Sequence, residues 1–266
     1  MAGAVRAGWA FLDHPLPIAV AHRGGSREAP ENTMRAFDHA IGLGYRYVEL
    51  DVRATIDLQV VVFHDATLQR MTGQRAAVAG AWWRELAHLR VAGTEPIPRL
   101  EEVLDAWPDL RVTIEMKDDA VVAPLARILG MRDAWDRVCI GSVSDERLRR
   151  IRELSEGRAR TSIGEWAGLA LRMAGFGLPF RPIGDVAQVP VRRRGFPVVD
   201  RRFVRHCHAR GLQVHVWTID DRTQMQRLLD IGVDGLMTDR PTLLRDLLVE
   251  QGRWVAASGS AMSGGP

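Results

Sequence analysis

The 266-residue chain is long enough to fold as one large domain, and its composition, with 46% hydrophobic and 26% charged residues, is that of a globular protein. Its formal net charge is only +3, although its isoelectric point is about 9.3. This small excess does not indicate a nucleic-acid-binding protein, which usually carries a basic stripe with interleaved aromatic residues. We predict that the densest basic stretch, 192–205, is solvated surface with at most a weak, peripheral attraction to anionic lipid headgroups.

The sequence also predicts a cytoplasmic protein. Residues 1–21 contain no apolar stretch of signal-peptide length, because Asp13 and Pro15 interrupt it. No run of 18 apolar residues, the signature of a transmembrane helix, occurs along the chain. The two cysteines, Cys139 and Cys207, have neither the spacing of metal ligands nor that of a disulfide framework.

Short runs rich in valine and isoleucine alternate with longer amphipathic stretches along the chain. The predicted strands lie at 17–22, 46–52, 111–116, 137–142, 159–163, 185–190, 212–218 and 233–238. The predicted helices include 32–43, 120–130, 144–154, 200–210 and 221–231. This alternation is typical of parallel βαβ units, and eight strands in a chain of about 250 residues favour a closed (β/α)8 TIM barrel over an open sheet.

Some segments stand outside this alternation. Residues 53–64 are predicted to be an extended excursion after the second strand. The apolar segment 165–180 is read either as a barrel helix with its loop or as an apolar lip at the mouth that accepts a lipid-like alcohol. We predict an N-terminal extension at 1–16, a barrel domain at 17–250 and a disordered tail at 251–266, which ends in small residues.

Two predicted strands carry charged residues at alternate positions. Glu49 and Asp51 are two residues apart, so their side chains point to the same face of the strand. Glu115 and Lys117, the only lysine in the chain, repeat this spacing. Carboxylates facing the helices would be buried without partners, whereas three that meet at a barrel mouth suit a hard cation such as Ca²⁺ or Mg²⁺. A structural salt-bridge network around Lys117 is the alternative.

Two histidines directly follow apolar strands. His22 ends the first predicted strand and His64 ends the run 60–63, and barrel enzymes place their catalytic groups at such strand ends. Two histidines there can act as general acid and general base. Arg23 precedes two glycines and offers a guanidinium fork for a phosphate. Asn32 is either the cap of the next helix or a site residue. Together these groups suit transfer at an anionic phosphorus centre.

In this order, the motifs resemble those of the glycerophosphodiester phosphodiesterase family. The segments that carry the resemblance are HRGGSREAPENTMRAFDHAIGLGYRYVELDVRATID, VVFHDATLQRMTG, IPRLEEVLD, IEMK, VHVWTID and GVDGLMTDRP. They extend from about residue 17 to residue 245. The resemblance implies a (β/α)8 barrel that hydrolyses small-molecule glycerophosphodiesters to sn-glycerol 3-phosphate and an alcohol. It also implies that a neighbouring glycerol hydroxyl attacks phosphorus and that water opens the resulting cyclic intermediate.

The resemblance further implies roles for individual residues. The residues that match the acid–base pair, with neither assigned to one role, are His22 and His64. The residues that match the ligands of a divalent metal, Ca²⁺ or Mg²⁺, are Glu49, Asp51 and Glu115. The residues that match substrate-contacting positions are Arg23 and Lys117 for the phosphate, Trp217 for the glycerol pocket and Asn32 for the asparagine of the PENT motif beside the site.

Three positions depart from the family pattern without removing a presumed catalytic group. Asp57 and Leu58 stand where Asp-Gly is usual, so we expect a changed turn and an intact site. The sequence 70–72 reads Arg-Met-Thr where the family has R-T-T, and His215 stands where asparagine or another residue is more familiar.

Other functions remain open at this stage. A lysophospholipase D-type activity on lysophospholipids would use the same site, and the apolar segment 165–180 favours it. A non-catalytic module that binds glycerophosphodiesters is disfavoured by the intact His22 and His64. Phosphoinositide-specific phospholipase C shares the barrel, but its motifs match less well. The sequence identifies neither the alcohol that leaves nor the oligomeric state.

Overall fold

The computed structural model describes residues 9–164, 171, 183–193 and 195–256. Among these residues the strands are β1 (Ile18–His22), β2 (Tyr47–Ala54), β3 (Val60–Val62), β4 (Arg90–Val91), β5 (Glu95–Pro96), β6 (Arg111–Met116), β7 (Val138–Gly141), β8 (Val186–Pro190), β9 (Arg192–Arg193), β10 (Phe196–Pro197), β11 (Gln213–Trp217) and β12 (Gly235–Thr238). The α-helices are α1 (Met34–Gly42), α2 (Gln69–Thr72), α3 (Trp83–Leu86), α4 (Leu100–Ala106), α5 (Val122–Met131), α6 (Asp145–Leu154), α7 (Arg201–His208), α8 (Arg222–Asp230) and α9 (Pro241–Glu250). Short 3-10 helices lie at Ala10–Leu12, Val78–Gly80 and Trp135–Arg137.

Parallel strands form the barrel predicted from the sequence. In the described part of the chain, seven strands pair in the order β7-β6-β2-β1-β12-β11-β8. Thr161 forms a parallel bridge to Ile140 of β7, and Ser162 forms one to Val186 of β8. These two residues of the predicted strand 159–163 therefore occupy the position of the eighth strand. The (β/α)8 fold is confirmed.

Capping side chains start several of the surrounding helices. The first turns of α1, α6, α7 and α8 each donate a backbone N–H to a cap, and these caps are Thr33, Ser144, Asp200 and Asp221. Each of these helices buries one apolar face against the strands, as the amphipathic pattern of the sequence predicts. Within the described ranges, no helix combines the length and the apolar character needed to cross a membrane.

An apolar plug closes the amino-terminal end of the barrel. Phe11 is fully buried, and its ring stacks on Trp9 with centroids 4.9 Å apart and meets the edge of Tyr47 at 5.2 Å. This cluster continues into the barrel interior through Ile18 and Val186, at the starts of β1 and β8. The predicted N-terminal extension therefore contributes directly to the barrel core. At the other end of the chain, Trp254 packs against Tyr45 with ring centroids 5.0 Å apart.

An insertion follows β2 at the carboxyl end of the barrel. It runs from residue 55 to residue 99 and contains β3, which pairs antiparallel with β2, and the antiparallel hairpin of β4 and β5. Its own apolar cluster includes Val61, Phe63 and Leu86. The extended excursion predicted at 53–64 is present, and the insertion continues well beyond it.

The turn that opens the insertion keeps the shape that a glycine would favour. The backbone N–H of Leu58 donates to the carbonyl oxygen of Thr55 at 3.0 Å, and Leu58 has φ of 58°. This is the left-handed region, which is strained for a branched side chain and free of strain for glycine. The change of turn expected from Leu58 is therefore not found, because leucine itself adopts the left-handed conformation.

We expect Phe11→Ala to destabilise the fold by about 3–5 kcal/mol, because it empties the centre of the plug and leaves a cavity. Urea denaturation followed by circular dichroism would measure the loss. Met131→Ala, at an exposed position, is the control and should change stability by less than about 0.5 kcal/mol. Equal stabilities of the two variants would show that the plug is not part of the cooperative fold.

Candidate active site

Polar side chains gather where the barrel strands end. In the register of the sheet, His22 on β1 lies beside Glu49 on β2, and Asp51 lies beside Glu115 on β6. Lys117 follows β6 directly, and its backbone N–H donates to the carbonyl of Val52. The structure therefore brings the two predicted acidic strands and the first histidine to neighbouring positions at one end of the barrel.

Asp51 lies at the centre of this cluster and is fully buried. Its Oδ1 atom is 2.8 Å from Nζ of Lys117, and its Oδ2 atom is 3.1 Å from Nε of Arg23. Asn32 donates its amide N–H to Oδ2 at 2.9 Å and accepts the backbone N–H of Asp51 at 3.2 Å. Burial raises the pKa of Asp51, but Lys117 and Arg23 outweigh it and hold this pKa below its usual value. Asp51 is therefore an ionised carboxylate.

Asn32 contacts Asp51 of the cluster and does not cap the following helix. The cap of α1 is Thr33, whose side chain accepts the backbone N–H of Ala36. Asn32 is buried with φ of 58°, a left-handed conformation that asparagine tolerates better than most residues. This conformation directs its amide to Asp51 with both hydrogen-bonding groups satisfied.

The other two carboxylates are less well compensated. Burial, followed by the negative charge of Asp51, raises the pKa of Glu49. Burial also raises the pKa of Glu115 to about 7, although the charge of Lys117 opposes the shift. Glu49 accepts the backbone N–H of Arg23 at 3.0 Å. When all three carboxylates are ionised, the cluster therefore carries more negative charge than Arg23 and Lys117 neutralise.

This surplus suits a hard divalent cation, for which carboxylate oxygens are the preferred ligands. Among the described residues, Oδ1 of Asp51 has no aligned hydrogen-bond partner despite its ionic contact with Lys117. It therefore retains a lone pair that a cation could use. In the same part of the chain, no three His, Cys, Asp or Glu side chains are already arranged as a metal cage. The donor chemistry of Glu49, Asp51 and Glu115 fits a cation, while Arg23 and Lys117 occupy Asp51 in this arrangement.

Each candidate histidine is held by an aspartate. Nδ1 of His22 lies 2.7 Å from Oδ1 of Asp239, and Nδ1 of His64 lies 2.6 Å from Oδ1 of Asp65. An ionised carboxylate can only accept, so each Nδ1 carries the proton. Nε2 of each ring is then the atom left for proton transfer, and in His22 it lies 3.7 Å from Oε2 of Glu49.

The two histidines differ electrostatically. Burial opposes the charged form of His22, but the charge of Glu49 and the hydrogen bond to Asp239 outweigh burial and raise the pKa of His22. Burial lowers the pKa of His64, and the opposing effects of Asp51 and Asp65 do not fully offset it. The pKa values of the two rings are therefore shifted in opposite directions, upward in His22 by its acidic neighbours and downward in His64 by burial.

Arg23 is presented by a tight backbone turn. Arg23, Gly24 and Gly25 have φ of 52°, 79° and 100°, all in the left-handed region. A Cβ atom at Gly25 would lie 2.6 Å from Cγ of Pro241, closer than real atoms approach. Glycine is therefore needed there, and the turn returns the Arg23 guanidinium over Asp51.

The remaining candidates, Trp217 and His215, lie on β11, which β12 separates from β1 in the sheet. Trp217 ends β11 at the same end of the barrel and is 37% exposed. His215 is fully buried, where its Nε2 is 3.2 Å from Oε1 of Gln213, and burial lowers its pKa to about 3. It is therefore a neutral interior residue.

The sequence analysis did not predict the roles of Asp239 and Asp65, although each directly follows a motif position, Thr238 and His64 respectively.

Known proteins are similar to this chain in sequence and in fold. The model of the glycerophosphoryl diester phosphodiesterase family matches residues 22–243. The chain is 41% identical to the probable glycerophosphodiester phosphodiesterase 2 of Mycobacterium tuberculosis, over 93% of this chain and 96% of that one. It is 30% identical to a lysophospholipase D of Rattus norvegicus, over 86% of this chain and 85% of that one. The crystal structure of a glycerophosphodiester phosphodiesterase from Agrobacterium tumefaciens matches with a TM-score of 0.69 and 25% identity, over 85% of this chain and 97% of that one.

We expect Asn32→Gly to cost about 1–3 kcal/mol of stability, because Asp51 loses both hydrogen bonds to the amide. Asn32→Ala should cost about 1 kcal/mol more, since alanine also pays for the left-handed backbone that glycine adopts freely. Urea denaturation of both variants would measure these losses. Wild-type stability of Asn32→Gly would show that Asp51 does not depend on the amide.

Proposed function

The chain belongs to the glycerophosphoryl diester phosphodiesterase family, and on this basis we propose that it hydrolyses glycerophosphodiesters to sn-glycerol 3-phosphate and an alcohol. The observation that carries the proposal is the pair of aspartate-held histidines beside one buried carboxylate cluster. Two basic side chains lie in the same cluster. Such a set can bind a phosphodiester anion and move protons to and from its oxygens.

In the proposed reaction His22 and His64 transfer the protons. One histidine takes the proton from the attacking oxygen while that oxygen forms its bond to phosphorus. The other gives a proton to the alcohol oxygen while the bond between that oxygen and phosphorus breaks. Asp239 and Asp65 keep each ring in the tautomer that leaves Nε2 available, which is the orienting role that a carboxylate plays for a catalytic histidine.

Basic and aromatic groups are proposed to hold the substrate. Arg23 and Lys117 would bind the phosphate oxygens, because both are cations and both lie in this cluster, in contact with Asp51. Lys117 supplies a compact ammonium, and Arg23 a planar fork. Asn32 would position Asp51 rather than contact the phosphate. Trp217 would offer an apolar wall for the glycerol carbons.

Glu49, Asp51 and Glu115 are the residues that would hold a divalent cation, either Ca²⁺ or Mg²⁺. The burial of Glu49 and Asp51, and the negative charge that the three carboxylates carry when ionised, support this assignment. When bound, the cation would stabilise the negative charge that develops on the phosphate oxygens.

The first test is release of glycerol 3-phosphate from glycerophosphocholine, with a chelator and then with Ca²⁺ or Mg²⁺ restored separately. Metal-dependent release supports the proposal and identifies the ion. Binding of glycerophosphocholine without release under any metal would instead support a non-catalytic binding module.

We expect His22→Ala and His64→Ala each to lower kcat by at least roughly 10²-fold, the usual contribution of a general acid or base. His208→Ala is a matched control, because His208 also pairs with an aspartate, Asp234, but lies on α7 away from the site. It should keep wild-type turnover. Wild-type turnover in both site variants would overturn the histidine assignment.

We expect Glu49→Gln to weaken binding of the activating cation at least about tenfold, because the loss of a carboxylate ligand exceeds the usual effect of an outer-shell change. Isothermal titration calorimetry with the cation alone measures this without turnover. Glu146→Gln removes a carboxylate from the exposed face of α6 and is the control. An unchanged cation affinity in Glu49→Gln would show that Glu49 is not a ligand.

An apolar cluster favours lysophospholipids as a second substrate class. Ile56 and Leu58, on the turn after β2, are 52% and 50% exposed. The backbone N–H of Ile56 donates to the carbonyl of Ala81 at 3.0 Å, which sets the turn beside the exposed Trp82. Because this turn follows the carboxyl end of β2, its apolar side chains lie at the end of the barrel that holds the site. The segment 165–180, the lip considered from the sequence, lies outside the described residues apart from Leu171.

Turnover of lysophosphatidylcholine micelles and of glycerophosphocholine by Leu58→Gly tests this second activity. Glycine keeps the left-handed turn and removes only the exposed side chain. We expect a loss of several-fold on micelles and no change on glycerophosphocholine. Equal effects on the two substrates would show that the cluster does not contribute to lipid recognition.

A further inference from the structure

The two candidate histidines are attached to different parts of the molecule. His22 ends a barrel strand, whereas His64 follows β3 on the insertion. β3 has three residues, so the sheet alone gives His64 a short anchor. Proton transfer requires reacting atoms to be placed to within a fraction of an ångström. Arg53 also donates its Nε–H to the carbonyl oxygen of His64 at 2.9 Å, which holds the backbone and leaves the ring to be oriented by side-chain contacts.

Arg70, on helix α2 of the insertion, contacts two carboxylates at once. Its Nε donates to Oδ2 of Asp65 at 2.6 Å, and its Nη2 donates to Oδ1 of the same group at 3.1 Å. On its other edge, Nη1 donates to Oε2 of Glu31 at 3.0 Å, and Nη2 donates to Oε1 at 2.6 Å. One guanidinium thus forms a bidentate pair with an acid of the insertion and another with an acid of the loop between β1 and α1.

Each of these two carboxylates also accepts a hydrogen bond from a candidate catalytic or binding residue. Oδ1 of Asp65 accepts Nδ1–H of His64 at 2.6 Å. Oε1 of Glu31 also accepts Nη1–H of Arg23 at 3.1 Å. Glu31 is only 11% exposed, so this anchor is not a freely moving surface chain. A continuous ionic chain therefore joins His64 to the loop that carries Arg23.

An ordinary surface salt bridge does not account for this arrangement. Isolated exposed pairs contribute little, but bidentate geometry and membership of a network are the conditions under which ion pairs matter. The hydrogen bond from Arg70 is the largest factor that lowers the pKa of Asp65 to about 2. Asp65 therefore stays ionised near neutral pH and remains an acceptor for His64.

We propose that Arg70 is a positioning residue that acts through His64, by clamping Asp65 against the imidazole and tying both to Glu31 on the barrel. This inference rests on the proposed function, in which His64 transfers a proton. Arg70 itself touches neither substrate nor reacting atoms. Its removal should therefore lower kcat and leave KM nearly unchanged, since the phosphate-binding Arg23 keeps its contact with Asp51.

The experiment compares wild type, Arg70→Ala, His64→Ala and the double variant on glycerophosphocholine. We expect Arg70→Ala to lower kcat about 10- to 100-fold with KM changed less than about threefold, as misplacement of a catalytic group does. The double variant should be no slower than His64→Ala, because both changes disable the same group. Arg132→Ala removes a comparable bidentate pair with Asp105 far from the site and should keep wild-type kcat.

Chemical rescue shows whether Arg70→Ala loses activity because His64 is misplaced or because the protein is misfolded. Arg70 is 47% exposed, so millimolar guanidinium ion can reach the space that Arg70→Ala leaves. We expect guanidinium to restore part of kcat to Arg70→Ala and none to His64→Ala. Arg70→Lys should remain slow, since an ammonium cannot bridge both carboxylates with parallel hydrogen bonds.

The outcomes separate this inference from the proposed function. An inactive wild type would overturn the proposed function, and an active His64→Ala would overturn the proton transfer by His64 on which this inference rests. An active wild type, a slow His64→Ala and an Arg70→Ala with normal kcat would overturn only the role of Arg70. So would losses that multiply in the double variant, because Arg70 would then act through a group other than His64.

Discussion

The carboxyl end of the barrel depends on the buried carboxylate of Asp51. A buried ionised group is tolerated only when opposite charges and hydrogen bonds surround it. Here Lys117 follows β6, while Arg23 and Asn32 lie on the loop after β1. Because these partners come from separate elements, compensation of one charge fixes where those elements stand relative to β2. The residues that compensate the buried charge of Asp51 are therefore the same residues that position the candidate site.

The basic side chains do not compensate all the carboxylates of the cluster, and this bears on how the site could bind an anionic substrate. Two further carboxylates, Glu49 and Glu115, share the site and have raised pKa values. The protein retains this unfavourable charge although apolar residues could fill the strand positions, as they do at the opposite end of the barrel around Phe11. A phosphodiester is an anion and would be repelled by these carboxylates alone. The proposed cation reconciles the two, since it offsets the acids and attracts the phosphate.

Much of the fold and of the candidate site could be predicted from regular residue spacing. Contacts between residues far apart in the sequence could not. The two-residue period placed Glu49 and Asp51 on one strand face, and strand ends located His22 and His64. Asp239 could not be paired with His22 in this way, because 217 residues separate them and only barrel closure brings β12 beside β1. The capping role considered for Asn32 was wrong because Thr33, one residue later, takes it. The plug at Phe11 was missed since its segment lacks any strand or helix period.

The insertion gives the barrel a second, separately adjustable half of the site. β1, β2 and β6 hold His22 and the acids rigidly, because their parallel pairing and shared core leave little freedom. His64 belongs to a unit with its own apolar cluster, joined to the barrel by β3 and the chain of charges through Arg70. The same unit carries the exposed Ile56, Leu58 and Trp82. In the proposed function, changes in the insertion would therefore alter which alcohol group the site accepts, while the proposed phosphate-binding residues stay fixed and the proposed clamp on His64 is kept.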